Sequence, residues 1–383
     1  MILVLILLLL FVGYSIVEYA IHRRHLGRIP VRVQVNGTRG KSSVTRLIAA
    51  GLRAAGRRVV AKTTGTSPRF ITGDNEESPV RRLGKANIFE QVRLVRRAVA
   101  LGADALVFEN MSLDPQYQEI EARMLLRPTH HVITNVRPDH LDVMGPTVRD
   151  VALAFARGVP RRGVLFTTQR DYLHVLSPRG GRGLETVVSD ESRVGADQVT
   201  GFDHVEHAEN VALALDVCER LGVNRDAALV GMQRSRPDPG AMRIYDVTVS
   251  GKRLAIVNTL AANDPDSIAR LWRMVSPRAA HRVVLVNCRA DRTDRSKQLA
   301  DLVAGFEAAE YVATGGLTRV FLSRARQRGV ATTRLHDLGE DRPPSEVFER
   351  LGLLAEVETL VFATGNTVGY GDRLMAHFAE KAA

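Results

Sequence analysis

The sequence predicts an α/β fold: a phosphate-binding domain built on a parallel sheet, a second, Rossmann-like α/β domain, and one transmembrane helix before both. Residues 31–35 alternate apolar with polar side chains, as a strand does, and lead through a glycine-rich turn into a helical stretch. From Ile29 onwards, short β-rich runs alternate with longer helical stretches, an order typical of parallel α/β sheets. The run Met1–Val17 carries no charged residue, which is typical of a membrane span.

This uncharged run predicts the membrane anchor. As a helix it spans about 25 Å, and Tyr19–Ile21 complete a bilayer core of ~30 Å, with Glu18 near the boundary. Four arginines follow, so the positive-inside rule places the rest of the chain in the cytoplasm: Arg23, Arg24, Arg28 and Arg32. A cleaved signal peptide is the competing interpretation, but no basic n-region or A-x-A site is present. We therefore expect residues 1–22 to anchor the chain in the cell membrane in a single pass.

The composition favours an anionic partner, because the net charge is +11 and the pI is about 10.1. Nucleic acid is not expected, since no homeodomain, RRM or zinc-finger pattern occurs and aromatic residues make up only 5% of the chain. Anionic lipid headgroups or a polyanionic product fit the charge more simply. The two cysteines, Cys218 and Cys288, lie in apolar patterns, which indicates buried thiols in a reducing compartment.

After the anchor, the alternation of strand and helix patterns predicts two α/β domains, at 29–239 and 240–383. The first has helical stretches at 88–101 and 205–221, and its strand candidates are 31–35, 57–61, 104–109, 130–134 and 163–167. The segment Arg234–Gly240 has two prolines and ends in glycine, which is typical of a linker. The strand candidates of the second domain are 242–249, 253–258, 282–287, 310–313, 331–335 and 359–363.

The turn after the first strand is a candidate phosphate-binding loop. Its residues are Gly37, Thr38, Arg39, Gly40, Lys41 and Ser42, followed by Ser43 in the helix. The backbone N–H groups of such a turn and the helix N-terminus face an anion. We expect Lys41 to reach the β- and γ-phosphates of a nucleotide and the Ser42 hydroxyl to bind Mg²⁺. The loop is not a full Walker A motif, because Val35 occupies the position of its first glycine.

A carboxylate ends the apolar strand at 106–109. An acid at the carboxyl edge of a parallel strand lies at the crevice where such sheets bind ligands. Because Mg²⁺ prefers oxygen ligands, Glu109 is a candidate to hold Mg²⁺ against transferring phosphate. A solvated strand end is the simpler interpretation of Glu109 taken alone.

A third polar segment, TNVRPDHLD at 134–142, follows the strand at 130–134. Its loop contains Asn135, Asp139, His140 and Asp142. A single histidine in a loop is usually solvated or a hydrogen-bonding partner. An acid, a histidine and a second acid directly after a strand form a more specific pattern.

These three segments, in this order, resemble the Mur ligase superfamily. The shortened loop GTRGKS is similar to the ATP loop of those enzymes, and TNVRPDHLD resembles their second metal-binding segment. The resemblance implies ATP and Mg²⁺ as cofactors. It also implies one Mg²⁺ on Ser42 and Glu109 and a second Mg²⁺ on His140.

Later segments extend the resemblance. AENVALAL at 208–215 is similar to a helix whose asparagine approaches the adenine, which implies this role for Asn210; its apolar residues are more simply core contacts. GAMR at 240–243 resembles a segment with a phosphate-contacting arginine, here Arg243. NTLAANDPDS at 258–267 is similar to the segment that closes over the nucleotide, with Asn258 in place of a ribose-contacting aspartate.

Departures from the general Mur pattern bear on the substrate. The phosphate loop begins at residue 37, which we expect to leave no room for a UDP-binding domain before it. No lysine occurs between residues 85 and 252, so the carbamylated lysine usual in the superfamily has no candidate. UDP-muramoyl substrates are therefore not expected.

One branch of the superfamily is similar over nearly the whole chain: the ligase subunits of capsule-forming poly-γ-glutamate synthases. Besides the anchor and the segments at 37–42 and 134–142, the matching features are KTTGT at 62–66, AANDPDS at 261–267, NCRADRTDRSKQ at 287–298 and ATGNTVGYG at 363–371. The resemblance implies an ATP-dependent amide ligase that activates a glutamate γ-carboxylate as an acyl phosphate, which the amine of another glutamate attacks.

The same branch implies partners and catalytic roles. The partners are glutamate, poly-γ-glutamate and small integral-membrane subunits of the capsule synthase complex. The residues with implied catalytic roles are Lys41, Glu109, His140 and Arg243. Lys62 and the threonines after it are further candidates to contact the γ-phosphate or the acceptor carboxylate.

Three alternatives remain open from the sequence. A membrane-tethered P-loop NTPase or switch would use the same loop, although the guanine-specific N-K-x-D motif is absent. A ligase similar to folylpolyglutamate synthase would also lack the UDP-binding domain, but a soluble folate gives no reason for an anchor. A non-catalytic scaffold is disfavoured because the phosphate loop and both metal segments are complete.

Overall fold

The computed structural model describes residues 2–382 except 66–67, 74–75, 83, 85, 178–182, 203, 205, 238–241, 263–264 and 341. The chain divides into two compact units, Met1–Pro239 and Gly240–Ala383. Parts of the predicted linker and of the motif segments at 62–66, 240–243 and 258–267 therefore lie outside the described residues.

The first unit alternates strands with helices. Its strands are β1 (Val31–Asn36), β2 (Val59–Lys62), β3 (Arg69–Ile71), β4 (Glu77–Pro79), β5 (Ala105–Glu109), β6 (His130–Ile133), β7 (Gly163–Thr167) and β8 (Leu184–Val188). Its helices are α1 (Ile2–Gly27), α2 (Lys41–Ala54), α3 (Glu90–Ala100), α4 (Pro115–Ile120), α5 (Leu141–Met144), α6 (Val148–Gly158), α7 (Leu173–Leu176), α8 (Ala196–Thr200), α9 (Ala208–Arg220) and α10 (Arg225–Gln233). The predicted strands of this unit are present within two residues of their expected ends.

The strand order of this sheet places three loops together. The order is β4-β3-β2-β5-β1-β6-β7-β8, with β1 hydrogen-bonded to β5 on one side and to β6 on the other, both parallel. The loops that follow β1, β5 and β6 therefore leave the same edge of the sheet, the edge at which α/β proteins bind ligands. The strands β3 and β4 pair antiparallel at the far edge, so the sheet is mixed rather than wholly parallel.

Helices cover both faces of this sheet. On one face α2, α9 and α10 bury an apolar core that includes Leu47, Ile48, Val211 and Met232. On the other face α3 packs with the end of α1 around Leu94, Val95 and Phe108. Because α2 begins at Lys41, directly after the glycine turn, the core that fixes α2 also fixes the turn.

The helix α1 has two parts. Its apolar residues from Ile2 to Ile21 are exposed, and the mean hydropathy of its most apolar 18-residue window is 2.5, so its length and composition suffice to cross a membrane. Its last turns pack on the first unit, where Leu26 joins the core and His22 Nε2 lies 2.8 Å from the carbonyl oxygen of Leu125. The helix therefore continues five residues past the predicted end of the anchor at residue 22.

The second unit is also an α/β layer structure. Its strands are β9 (Arg243–Val249), β10 (Lys252–Asn258), β11 (His281–Cys288), β12 (Glu310–Gly315), β13 (Leu335–Gly339) and β14 (Glu358–Gly365), in the order β13-β12-β11-β14-β10-β9. Its helices are α11 (Pro265–Val275), α12 (Thr293–Val303), α13 (Thr318–Gln327), α14 (Pro344–Leu354) and α15 (Tyr370–Ala382). Only β9, at the edge, runs antiparallel to its neighbour among the described strands of this sheet.

One predicted strand of this unit is wrong. The segment 331–335 was expected to be extended, but Thr332–Arg334 form a 3₁₀ turn and the strand begins at Leu335. Threonine favours strands through packing of its branched side chain on a half-buried surface. Thr332 and Thr333 are exposed here, so their side chains do not pack on such a surface and do not favour a strand.

A buried histidine of β6 makes the first unit sensitive to acid. His131 is fully buried, and neither of its ring nitrogens has a hydrogen-bond partner among the described residues. Burial lowers the pKa of His131 to about 3. As the pH falls below the ordinary histidine pKa of ~6.5, the unfolded chain therefore binds a proton that the folded chain does not, and stability falls.

We expect His131→Leu to reduce this acid sensitivity. Linkage gives a loss of about 2 kcal/mol from this one histidine between pH 7 and pH 5, which the variant will not show. The measurement is urea unfolding of the detergent-solubilised chain at both pH values. The exposed His174, changed to Gln, is the control and is expected to keep the wild-type pH dependence. Equal losses in His131→Leu and wild type would contradict the assignment.

Candidate active site

The turn after β1 has a conformation that requires glycine at two positions. Gly37 has φ 126° and Gly40 has φ 78°, both in the left-handed half of backbone space. A Cβ atom on Gly37 would collide with the Thr134 hydroxyl and come within 2.9 Å of the Thr134 backbone nitrogen. A Cβ atom on Gly40 would lie 2.6 Å from Oδ1 of Asn210. The loop is therefore closely surrounded by residues that follow β6 and begin α9.

The segment after β6 holds this loop from one side. The N–H of Thr38 donates to the carbonyl oxygen of Asn135 at 2.9 Å, and the N–H of Arg39 donates to the Asn135 side-chain oxygen at 3.0 Å. The hydroxyl of Thr134 donates to the carbonyl oxygen of Arg39 at 2.6 Å. Two of the predicted site segments are thus joined by hydrogen bonds, which fixes the loop before any ligand arrives.

The side chain of Lys41 folds over the loop. Its Nζ donates to the carbonyl oxygens of Gly37 at 2.8 Å and of Thr38 at 3.1 Å. Burial lowers the pKa of Lys41, and the nearby carboxylate of Glu109 partly offsets this effect. The ammonium group therefore lies inside the curve of the loop.

Ser42 and Glu109 meet at the carboxyl edge of the sheet. The Ser42 hydroxyl donates to Oε2 of Glu109 at 2.8 Å, and the backbone N–H of Thr64 donates to the same oxygen at 2.8 Å. Glu109 is only 2% exposed. Thr64 belongs to the KTTGT segment, so the loop after β2 reaches the predicted metal position through its backbone.

His140 lies in a more open position. It has φ 47°, its side chain is 48% exposed, and its Nε2 lies 3.7 Å from Oδ1 of Asp139. The other oxygen of Asp139 lies 3.4 Å from Nη2 of Arg39, which ties this segment to the phosphate loop. The described residues contain no group of three or more His, Cys, Asp or Glu side chains placed to hold a metal ion.

The structure places Asn210 beside the phosphate loop. Asn210 is 5% exposed, and its side-chain nitrogen donates to Oε1 of Glu206 at 2.8 Å. The amide of Asn210 therefore lies in the first turn of α9, close to Gly40, whereas Thr134 lies close to Gly37.

Arg243 and Asn258 are paired in the second unit. They lie opposite each other in the antiparallel register of β9 and β10, at the start of one strand and the end of the other. Arg243 is exposed, and Asn258 Oδ1 accepts a hydrogen bond from the N–H of Leu260 at 3.2 Å. Sequence reasoning selected both residues without indicating that they are cross-strand neighbours.

A buried ionic cluster behind the site was missed by the sequence. Lys62 is fully buried, and its Nζ lies 2.7 Å from Oε1 of Glu90, which also binds Arg82. The ammonium of Lys62 therefore has a buried carboxylate partner of its own, which does not support a contact with the γ-phosphate. The adjacent Glu121 is also buried, and burial raises its pKa to about 7.

A cavity of about 430 Å³ lies at the carboxyl edge of the second sheet, where β11, β12 and β14 end. Its polar lining includes Asn287, Arg289, Glu340, Tyr370 and Arg373. Arg289 pairs with Asp291 at 2.7 Å. Except for Glu340, these residues fall in or beside the segments at 287–298 and 363–371, which the sequence marked as features of one branch.

The sheet topology and the phosphate loop are those of a Mur-ligase-like α/β protein. The family model of the Mur ligase middle domain matches residues 35–171, which contain the loop, Glu109 and His140. Among solved structures, MurF of Acinetobacter baumannii is similar with a TM-score of 0.68, at 13% identity over 95% of this chain and 79% of that one. Folylpolyglutamate synthase of Thermotoga maritima gives a TM-score of 0.63, at 14% identity over 94% and 92%. At these identities the likeness establishes the fold alone, and it confirms the predicted Mur-ligase-like fold.

The family follows from relatives of higher identity. The family model of the poly-gamma-glutamate synthase CapB C-terminal domain matches residues 244–381. Capsule biosynthesis protein CapB of Bacillus anthracis is 37% identical over 374 residues, 96% of this chain and 80% of that protein. PGA synthase CapB of Bacillus subtilis is 35% identical over 373 residues, 96% and 94%. The chain belongs to the CapB family of poly-γ-glutamate synthases, which confirms the resemblance predicted from the motifs.

Proposed function

We propose that this chain is the ATP-dependent amide ligase of poly-γ-glutamate synthesis. The observation that carries the proposal is the phosphate loop, with Lys41 inside it and the Ser42–Glu109 pair at its end, in a chain of the CapB family. The loop supplies N–H groups, a helix N-terminus and an ammonium to an anion of high charge. Such a site serves phosphoryl transfer, in which the protein mainly positions groups and offsets charge.

The residues at the sheet edge fit a hard divalent cation, which we propose is Mg²⁺. The oxygens of Ser42 and Glu109 are 2.8 Å apart, close to the ~2.9 Å between neighbouring oxygens around a cation with ligands at ~2.1 Å. Mg²⁺ usually takes one or two protein oxygens and completes its shell with water and phosphate, so a larger group of protein ligands is not required. When bound, the cation would neutralise charge on the β- and γ-phosphates.

The reaction then has two steps. A γ-carboxylate oxygen of glutamate attacks the γ-phosphorus of ATP, the bond to the β-phosphate oxygen breaks, and ADP leaves. The amine of another glutamate attacks the carbonyl carbon of the acyl phosphate, loses a proton, and expels phosphate as the amide forms. Lys41 offsets charge in the first step, and we propose the same role for Arg243. Asn210 and Asn258 remain proposed contacts to the adenosine part of ATP.

The cavity of the second unit suits the amino-acid substrate. Glutamate carries two carboxylates and one ammonium, and the lining carries both signs: Arg289 and Arg373 are positive, Asp291 and Glu340 are negative, and Arg289 pairs with Asp291. Guanidinium groups bind carboxylates through paired, charge-assisted hydrogen bonds. We therefore assign this cavity to a glutamate residue, either free or at the end of the polymer.

We expect His140→Ala to weaken Mg²⁺-dependent turnover far more than it weakens ATP binding. The reason is that the side chain of His140 is linked to the phosphate loop through Asp139, which lies 3.7 Å from His140 and 3.4 Å from Arg39. The measurement is the Mg²⁺ concentration at half-maximal turnover, with ATP affinity measured separately; about a tenfold rise is expected for a lost ligand. His207→Ala, which alters the N-cap of α9, is a control for local structure. Superimposable Mg²⁺ titration curves would remove His140 from the proposed site.

We also propose that α1 anchors the chain in the cell membrane with both units in the cytoplasm, beside small integral-membrane subunits of a capsule synthase. Sixteen exposed large hydrophobic side chains between Ile2 and Ile21, followed by Arg23, Arg24 and Arg28, support this orientation. Carbonate extraction of membranes tests the anchor. Full release of an intact chain into the supernatant, or a mature chain that lacks residues 1–25, would contradict it.

The function is tested with purified membranes, ATP, Mg²⁺ and each glutamate enantiomer, followed for ADP and polymer. The proposal predicts ADP release that requires glutamate and accompanies polymer formation. A P-loop switch would hydrolyse ATP equally well without glutamate. A folate-specific ligase would require a folate acceptor, and a scaffold would release no ADP.

A further inference from the structure

A groove lined by arginines lies at the edge of the first sheet opposite the phosphate loop. We name it the basic groove; its volume is about 610 Å³, and its charged lining is Arg32, Arg123, Arg127, Arg161 and Arg162. Arg32, Arg127, Arg161 and Arg162 lie near the amino ends of β1, β6 and β7, and Arg123 lies in the π-helical turn Glu121–Leu126. Gly163 at the start of β7 has φ 116°, and a Cβ atom there would collide with the Thr129 carbonyl, so glycine is needed where these strands enter the groove.

Most of the positive charge in the basic groove is uncompensated. Arg123 pairs with Glu119 at 2.6 Å, but among the described residues no carboxylate forms an ion pair with Arg127, Arg161 or Arg162. Arg32 is half-buried, and its guanidinium donates to the backbone oxygens of Leu26, Ile29 and Arg127. Burial lowers the pKa of Arg32, and the charge of Arg127 lowers it further. An anion in the groove would relieve this repulsion. Guanidinium groups bind phosphate oxygens in pairs, and they are weakly hydrated, which favours phosphate as the ligand.

The basic groove is joined to the end of the apolar helix. Arg32 Nη1 donates to the carbonyl oxygens of Leu26 at 3.3 Å and of Ile29 at 2.6 Å, and its Nε donates to that of Arg127 at 2.9 Å. From Ile21, where the exposed apolar run ends, to Leu26 the helix rises about 8 Å. The headgroup layer of a bilayer is roughly 5–8 Å deep on each side. Arg32 therefore lies at the depth of the lipid phosphates when α1 spans the membrane.

We propose that the basic groove binds the headgroup of an anionic phospholipid in the cytoplasmic leaflet. The proposal rests on the membrane location proposed for α1 but not on the amide-ligase reaction. Arg32 is five residues of strand, about 17 Å, from the phosphate loop, so the groove is separate from the nucleotide site. A lipid held there would fix the first unit against the membrane at a second point besides α1, with the phosphate loop at the far edge of the sheet.

The test is native mass spectrometry of the full chain in a mild non-ionic detergent, titrated with phosphatidylglycerol or phosphatidylcholine. We expect one phosphatidylglycerol to bind in preference to phosphatidylcholine. The double variant Arg161→Gln/Arg162→Gln is expected to weaken phosphatidylglycerol binding by roughly 30-fold, as two arginines at a lipid surface predict. Arg319→Gln/Arg326→Gln removes the same charge from exposed positions of α13 and is expected to bind phosphatidylglycerol like wild type.

Three results would overturn the proposal. Equal weakening in both double variants would show a general effect of net charge. Equal binding of the two lipids would show that the acyl chains, and not the headgroup, bind. Displacement of the lipid by an equimolar amount of inorganic phosphate or of short poly-γ-glutamate would make the groove a site for a soluble anion. The lipid-binding experiment measures no catalysis, so a negative result would not bear on the amide-ligase proposal. Carbonate extraction tests the membrane anchor separately.

Discussion

Replacing Lys41 by alanine is expected to abolish ATP-dependent amide formation while the fold survives. The ammonium lies within hydrogen-bond distance of the carbonyl oxygens of Gly37 and Thr38, inside the loop that we assign to the phosphates. Removing a single hydrogen-bond donor that stabilises the transition state lowers the rate by about 10² to 10³-fold. We expect about 10³-fold for Lys41→Ala, because a charged donor forms stronger hydrogen bonds than a neutral one. The measurement is glutamate-dependent ADP release, with circular dichroism to follow the fold.

The matched control for this prediction is Lys381→Ala. Lys381 is an exposed lysine in the last helix of the second unit, so the same change in charge occurs far along the chain. We expect wild-type turnover from this control. Turnover close to wild type in Lys41→Ala would overturn the assignment of the phosphate loop.

Replacing Glu109 by glutamine is expected to reduce turnover by about 10²-fold or more and to raise the Mg²⁺ concentration needed. The carboxylate is buried and already accepts hydrogen bonds from Ser42 and from the backbone of Thr64. An amide keeps the size of the side chain but loses its charge, and a carboxylate is a much better ligand than an amide for a hard cation. Mg²⁺ titration of turnover measures the effect.

Glu349→Gln provides the control for this second variant, because Glu349 is an exposed glutamate of α14. The control is expected to titrate with Mg²⁺ like wild type. A normal Mg²⁺ requirement in Glu109→Gln, with reduced turnover, would show that Glu109 only supports the loop and does not bind the metal ion.

The sequence predicted the convergence of three segments because strand order and parallel direction leave few alternatives. The residues after β1, the end of β5 and the residues after β6 each carry polar side chains at the carboxyl end of an apolar run. Parallel neighbouring strands bring those ends together, and the contacts Ser42–Glu109 and Arg39–Asn135 are the result. The glycines at 37 and 40 were recognisable because only their backbone freedom suits such a turn.

Other features depend on tertiary packing that periodicity does not encode. From the sequence, Lys62 was a candidate ligand contact at the end of a strand. In the structure it pairs with Glu90 of α3, which packs on the face of the sheet opposite α2. Glu121 was not identified from the sequence, and a π-helical turn places it against Met111 and Ser112. The basic groove could not be predicted from the sequence either, because its arginines come from three separate segments, at 32, 123–127 and 161–162.

The central claim is that ATP activates a carboxylate of glutamate, and the transfer of oxygen tests it most directly. Glutamate labelled with ¹⁸O in its γ-carboxylate is incubated with ATP, Mg²⁺ and membranes that contain the full chain, and the released phosphate is examined by mass spectrometry. An acyl phosphate intermediate predicts one ¹⁸O atom in each phosphate released during polymer formation. Polymer and ADP formed with unlabelled phosphate would contradict the account.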